Sequence, residues 1–397
     1  MPNYTYLIVG GGMTADAAIH GIREIDRGGS IGVIGAESHP PYNRPPLSKG
    51  LWKKQPLDSI WRKSDTLGLT FHLGLRVQHL DPANKRVTDD QGNVYTFDKL
   101  LLATGATPRR LAFGAEQIIY YRTLDDYQRL RALTERGRKF AVIGGGFIGS
   151  EVAAALAMNR REVVLAFPQE GIGSRVFPSE LSRFLNDFYR QKGVEVLTGT
   201  SVTGMETRRD KSILTLRDSR AGNGQEISVD GVVAGIGVQA NVDLAQAAGL
   251  KVENGIRVDA SLRTSHPDIY AAGDVAGFHN PVLDVWMRVE HEDNANTMGG
   301  AAGRAMAGET VAYDHLPSFY SDLFEMGYEA VGEVDSRLET VADWKEPCRE
   351  GVIYYLRNGR VRGVLLWNVW EQVDAARRLL AEPGPFKASD LKGRLPA

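Results

Sequence analysis

Two glycine-rich turns, each held between an apolar strand and a helix, constrain this chain more than any other feature. The first, Gly10-Gly11-Gly12-Met13-Thr14-Ala15, follows Tyr6-Leu7-Ile8-Val9. The second, Gly144-Gly145-Gly146-Phe147-Ile148-Gly149, follows Phe140-Ala141-Val142-Ile143. In such a turn the first glycine makes the tight bend and the second lets backbone approach a pyrophosphate. The third small residue lets helix and strand pack closely, and the phosphates rest on the helix N-terminus. One turn of this kind is a weak signal. Two in tandem predict two bound dinucleotides and electron transfer between them.

The rest of the composition mainly excludes. A chain of 397 residues has room for two or three domains. A net charge of −2 gives no reason to expect nucleic acid or an anionic membrane as partner. No apolar run is long enough to predict a membrane span. The first strand begins close to Met1, so no leader is expected. Cys348 is the only cysteine, which rules out an internal disulfide and points to a reducing cytoplasm. It also rules out a Cys-x-x-Cys redox pair, so electrons are expected to leave the bound cofactor directly for an external acceptor. Cys348 itself lies among polar residues, Lys345 to Glu350, and reads as an incidental surface thiol.

Along the chain, residues 4–37 read strand, helix, strand, closing on Glu37 at about the spacing of a ribose-binding carboxylate. The loop Pro40-Pro41-Tyr42-Asn43-Arg44-Pro45-Pro46-Leu47-Ser48-Lys49 is stiffened by four prolines and is placed to wall a cofactor. Residues 70–102 alternate apolar and polar, turn at Asp90-Gln91-Gly92-Asn93, and end on the glycine turn Ala103-Thr104-Gly105. The second strand–helix–strand unit covers about 139–170. A helix (180–192), a strand (194–197), a hairpin (202–229, turning near 221–224) and a strand (231–236) follow. Ile269-Tyr270-Ala271-Ala272-Gly273-Asp274 reads as a strand ending in glycine and aspartate, and Met287 to Met306 as a helix. Beyond Pro317 come β-rich stretches at 328–341, 351–357 and 361–367, then a helix from Trp370 to Leu380.

Together these residues resemble the two-dinucleotide flavoprotein oxidoreductases of the ferredoxin and rubredoxin reductase type. The similarity is greatest to the apoptosis-inducing-factor group. It is carried by Pro41 to Lys49 with Leu51-Trp52, by Ile143 to Glu151, and by Arg288-Val289-Glu290-His291. Ser321-Asp322-Leu323, Gly327 to Gly332, Gly351 to Arg357 and Leu366-Trp367-Asn368 complete it. The resemblance implies an α/β fold with two Rossmann-like dinucleotide-binding domains of three-layer ββα build and a C-terminal α+β domain. The implied boundaries are 1–111 with 240–314 for FAD, 112–239 for the nicotinamide cofactor, and 315–397 for the last domain.

The resemblance also implies roles. Gly10, Gly12, Ala15 and Glu37 would hold the ADP half of FAD, with Arg44 and Lys49 along the phosphates and the ring. Ala103, Thr104 and Gly105 would line the same side, and Asp274 would bond the ribityl chain. Glu290 and His291 would face the flavin's other edge or the nicotinamide carboxamide, and Tyr320 would pack over the nicotinamide side of the flavin. On the nicotinamide side stand Gly144, Gly146, Phe147, Ile148, Gly149, Glu151, Gln169, Glu170, Arg175 and Gly237. Lys49 and Glu151 form the implied catalytic pair. A fixed ammonium would stabilise the charge that builds as hydride arrives, and the carboxylate would hold it there.

Three departures stand out. Tyr320 replaces the family's tryptophan, Ala240 replaces a proline, and Gln169 occupies the place of the ribose-binding acid, with Glu170 beside it. NADH is the expected donor, and Gln169 with Arg175 keeps NADPH open. The long insertion of the animal protein between Val341 and Gly351 is missing, so nucleic-acid and death-related roles are not carried over. The expected acceptor is a ferredoxin-type iron–sulfur protein, with the chain a monomer or homodimer. Alternatives are a redox-sensing flavoprotein with a long-lived NADH complex and NADH-linked dimerisation, or a reductase of quinone, oxygen or ascorbyl radical.

Overall fold

Strand Asn3–Val9 starts the molecule because its inward residues are almost wholly apolar; Leu7 and Ile8 are fully buried. The computed structural model describes residues 1–219, 222 and 224–396. The turn expected near 221–224 falls largely outside those described residues.

The chain packs as two compact units. The first comprises Met1–Arg44, Leu57–Thr107 and Gln239–Ser318; the second comprises Pro45–Pro56, Pro108–Val238 and Phe319–Ala397.

In the first unit, Asn3–Val9 pairs in parallel with Ile31–Gly35 on one side and Val94–Leu102 on the other. Thr70–Leu73 extends the sheet beyond Ile31–Gly35, and Ile269–Ala271 adds in parallel to Val94–Leu102. Parallel strands buried on both faces read as continuous apolar runs, which Leu100-Leu101-Leu102 and Tyr6 to Val9 are. Val77–Asp81 and Arg86–Asp89 form the antiparallel edge, and the chain turns at Gly92 from Arg86–Asp89 into Val94–Leu102. Helix Met13–Ile25 lies against helix Glu292–Met306 at very close range. A Cβ on Gly303 would come within 2.1 Å of the Ala18 carbonyl oxygen, so only glycine permits that crossing.

The second unit holds a five-stranded parallel sheet in the order Val194–Leu197, Glu162–Ala166, Lys139–Ile143, Gly231–Ala234, Ile118–Tyr120. Helix Phe147–Met158 packs on it through Val152, Ala153, Ala154, Ala155 and Leu156, all buried. Thr200–Arg208, Lys211–Asp218 and Gly224–Val229 form a three-stranded antiparallel sheet. The C-terminal residues build a five-stranded antiparallel sheet with Arg360–Trp367 in its centre, backed by helix Val373–Ala381.

Four local expectations need correction. The helix expected from Met287 begins at Glu292, because Val285–Met287 is a strand paired with Ala276–Asn280. The stretch 328–341 is two strands, Met326–Gly332 and Glu339–Glu346, rather than one region. The helix placed at Trp370 begins at Val373. Cys348 is buried, 5% exposed, not a surface thiol. Its backbone turns with φ +57°, its carbonyl takes the Trp367 indole N–H, and burial pushes the thiol up.

Candidate functional site

Each glycine turn is a tight bend that leaves a helix end open. Gly10 has φ +117° and Gly144 φ +112°, values that only glycine adopts without strain. A Cβ on Gly10 would lie 2.0 Å from the Ala103 carbonyl oxygen, and one on Gly144 2.4 Å from that of Gly235. Beyond the bends the helices start at Met13 and Phe147, with Gly12 and Gly146 as N-caps and no side chain capping either. Their first N–H groups therefore await an acceptor, and the positive end of each helix favours an anion. A Cβ on Gly146 would meet nothing within 4 Å, and one on Gly12 only the Arg44 guanidinium at 3.9 Å. Two open, uncapped helix starts, one faced by an arginine, fit two pyrophosphates.

In the first unit, Glu37 lies two residues past the strand Ile31–Gly35, and both of its oxygens are engaged. Arg44 Nη2 donates to Oε1 at 2.5 Å and the Tyr42 hydroxyl to Oε2 at 2.5 Å. Burial opposes the Arg44 charge, and Tyr42 and Glu37 more than restore it. Arg62 anchors the same loop, donating to Asp16 Oδ2 (2.5 Å), Asn43 Oδ1 (2.8 Å) and Asn296 Oδ1 (2.8 Å). Gly273 abuts the first turn of helix Met13–Ile25, since a Cβ there would lie 2.2 Å from Thr14 Oγ1; this sets Asp274 beside that helix start. The Asp274 carbonyl accepts from Arg288, which also pairs with Glu290 at 2.6 Å. His291 is the N-cap of Glu292–Met306, and burial pulls its pKa down to about 4, so it is neutral at pH 7. Thr104 and Gly105 are fixed by Asn241: Thr104 Oγ1 donates to its carbonyl, its side chain to the Thr104 carbonyl, and its N–H to Gly105.

In the second unit stand Lys49, Glu151, Tyr320 and the nicotinamide-side residues. Lys49 Nζ lies 2.8 Å from Glu151 Oε2, with the side chains 11% and 2% exposed. Glu151 also accepts from Ser48 (2.5 Å, on Oε2) and from Ser321 (2.5 Å, on Oε1). The Lys49 ammonium stands 5.1 Å from the centre of the Tyr320 ring, a cation–π distance. Burial holds the Tyr189 and Tyr328 phenols well above their usual range, with Glu151 adding to it, so both stay protonated around this carboxylate. The loop bearing Lys49 is held by Trp52, whose indole donates to the Leu47 carbonyl (2.8 Å) and meets the Tyr121 hydroxyl (3.2 Å).

Phe147 and Ile148 are 37% and 38% exposed at the open helix start, and Phe147 packs on Phe319 with centroids 5.4 Å apart. Gln169 and Glu170 follow strand Glu162–Ala166; their carbonyls accept from Gly199 and Asn186, and the Glu170 side chain is exposed. Arg175 is exposed, and its carbonyl accepts from Ser336. The Gly237 carbonyl takes the Arg109 N–H. Ser48, Ser321 and Arg62 carry no role in the sequence reading. The signal available for Ser321 was its place in the stretch Ser321-Asp322-Leu323, which helps carry the resemblance.

Residues 4–299 match the family described as pyridine nucleotide-disulphide oxidoreductase. Residues 302–350 and 345–382 match the C-terminal region of apoptosis-inducing factor, mitochondrion-associated. The ferredoxin–NAD(+) reductase component of the anthranilate 1,2-dioxygenase system of Burkholderia cepacia is 33% identical, over 97% of this chain and 97% of that one. Monodehydroascorbate reductase 3 of Arabidopsis thaliana is 32% identical, over 92% of this chain and 89% of that one. Among solved structures, the covalent putidaredoxin reductase–putidaredoxin complex superposes with a TM-score of 0.90 at 29% identity, covering 98% of this chain and 95% of the other. Among the described residues no helix is long and apolar enough to cross a membrane.

Proposed function

The chain belongs to the pyridine nucleotide-disulphide oxidoreductase family and is an FAD-dependent NADH oxidoreductase; from that premise we propose that its electrons go to a ferredoxin-type iron–sulfur protein. The observation that carries this is the lack of any second cysteine in the chain, with Cys348 buried. No dithiol can relay electrons within the protein, so the acceptor has to come from outside. Near-full-length similarity to a ferredoxin–NAD(+) reductase component supports the choice of acceptor.

FAD, when bound, accepts hydride from NADH and releases electrons to the acceptor. The chain's own residues supply binding and charge. Gly10, Gly12 and Ala15 leave the first helix start open to the FAD pyrophosphate, and Arg44 adds its charge. Gly144, Gly146 and Gly149 do the same for NADH, with Phe147 and Ile148 offering an apolar face. Lys49 is the fixed cation of the reaction, and Glu151 keeps it oriented. Neutral His291 is not a source of protons at pH 7. The lone cysteine suits a reducing cytoplasm.

Anaerobic mixing with NADH, then with a ferredoxin, tests this reading. Rapid flavin bleaching followed by fast reoxidation is expected. Turnover that no ferredoxin accelerates, but that monodehydroascorbate does, would replace the acceptor with a small radical. The match to the apoptosis-inducing factor C-terminal region favours a second reading, a redox sensor. It requires slow bleaching into a stable long-wavelength band and an NADH-dependent shift on size exclusion.

A further inference from the structure

We propose that Ser321 is a positioning residue for hydride transfer, acting on Lys49 through Glu151. The inference rests on the reading above that Lys49 is the cation serving the reaction.

A carboxylate is held through its two oxygens. These share one plane, and the terminal torsion of a glutamate is soft. Fixing one oxygen leaves the group free to swing; fixing both defines where each points. Lys49 and Ser48 both act on Oε2, at 2.8 and 2.5 Å. Ser48 adjoins Lys49 in the same loop, so those two bonds move together. The bond to Oε1 comes from Ser321, 170 positions from Glu151, at 2.5 Å. It is the contact that ties the carboxylate plane to a different part of the scaffold.

That part is rigid. Ser321 is 1% exposed on strand Ser318–Leu323, beside Tyr328, which shares a hydrogen bond with it and is itself 1% exposed. The next residue, Asp322, reaches Lys53 at 3.3 Å. Two successive strand residues thus grip the segment Pro45–Pro56, one through Glu151 and one directly. Without the Ser321 hydroxyl, Oε1 has lost its donor inside a buried site, an arrangement that buried polar groups avoid. The carboxylate turns to find another, and the Lys49 ammonium moves with it.

The test uses the FAD-loaded full chain as wild type, Ser321→Ala, Lys49→Met and the double variant. The readouts are the rate of reduction by NADH, the flavin midpoint potential and the thermal midpoint. Ser321→Ala is expected to slow reduction about tenfold, leave the NADH dependence unchanged and make the potential more negative. In the Lys49→Met background the same change should add nothing, because coupled residues are not additive. Ser321→Thr should restore the rate. If Ser321→Ala misfolds, Ser321→Cys, near in shape and a weak donor, is expected to give the same pattern. Equal slowing in both backgrounds, or a lowered thermal midpoint with rate and potential unchanged, overturns the proposal while leaving Lys49 its role. A Lys49→Met protein reduced at the wild-type rate overturns the reading of Lys49 and the proposal with it.

Discussion

Lys49 and Glu151 stand 102 positions apart in the sequence and 2.8 Å apart in the fold, each nearly closed to solvent. A buried ion pair of this kind is weak evidence for stability, since desolvation offsets much of the attraction. Its cost is more readily understood if the charge has work to do.

Lys49→Ala should retain FAD but slow its reduction by NADH roughly 10- to 100-fold, somewhat less than the roughly 100- to 1,000-fold lost with a donor aimed directly at a developing oxyanion. Stopped-flow absorbance decides it. A wild-type rate at normal FAD content would make the pair structural.

Glu151→Ala should weigh more on the fold than on chemistry alone. It leaves Lys49, Ser48 and Ser321 without their shared acceptor in a buried site. Removing one partner of a buried pair costs about 3–5 kcal/mol, so the denaturation midpoint should fall clearly. A midpoint matching wild type would show that the site admits water.

Gly149 and Gly146 of the second turn should separate fold from binding. A Cβ at Gly149 would lie 1.8 Å from the Gly144 carbonyl oxygen, so Gly149→Ala should disrupt the unit. Gly146→Ala meets no atom within 4 Å at φ −85° and should fold normally. Its methyl group enters the space assigned to the pyrophosphate, so NADH should bind at least tenfold more weakly, about 1.4 kcal/mol. Titration of the two variants with NADH, alongside their melting curves, checks both halves.

His291 gives a pH dependence with a definite sign. Burial lowers its folded pKa from 6.5 to about 4. Between those values the unfolded chain binds a proton that the folded one does not, so stability falls as pH drops from about 6.5 to about 4 and levels off below. In His291→Gln that component should vanish. Melting curves of both proteins across pH 4–7 measure it, and parallel curves would mean the imidazole is already protonated in the fold.

Much of this architecture was legible along the chain because its signals are local. Glycine turns, apolar strands and the Asp90 to Asn93 hairpin each declare themselves within a dozen residues. The loop with Lys49 and the helix with Glu151 were identifiable because both sit in distinctive motifs. Ser321 stood in a recognisable stretch, Ser321-Asp322-Leu323, but its role was not legible, since a serine in a strand declares no partner until the fold delivers one. Cys348 misled for the opposite reason. Its neighbours are polar, but a single left-handed turn rotates its side chain into the core while theirs stay outside. The helix start at Glu292 rather than Met287 reflects tertiary pairing: Met287 faces Phe278 across a strand pair that no local preference reveals.

The segment Pro45–Pro56 leaves one unit, joins the other, and the chain returns at Leu57. During synthesis, then, Lys49 emerges about a hundred residues before its carboxylate, and that carboxylate well before Ser321. Folding proceeds from the N-terminus as the ribosome works. The cation proposed to serve the reaction is therefore made early but fastened only once Ser321 has been made. A chain truncated before the last sheet carries every residue of both glycine turns and still lacks the clasp that sets its charge.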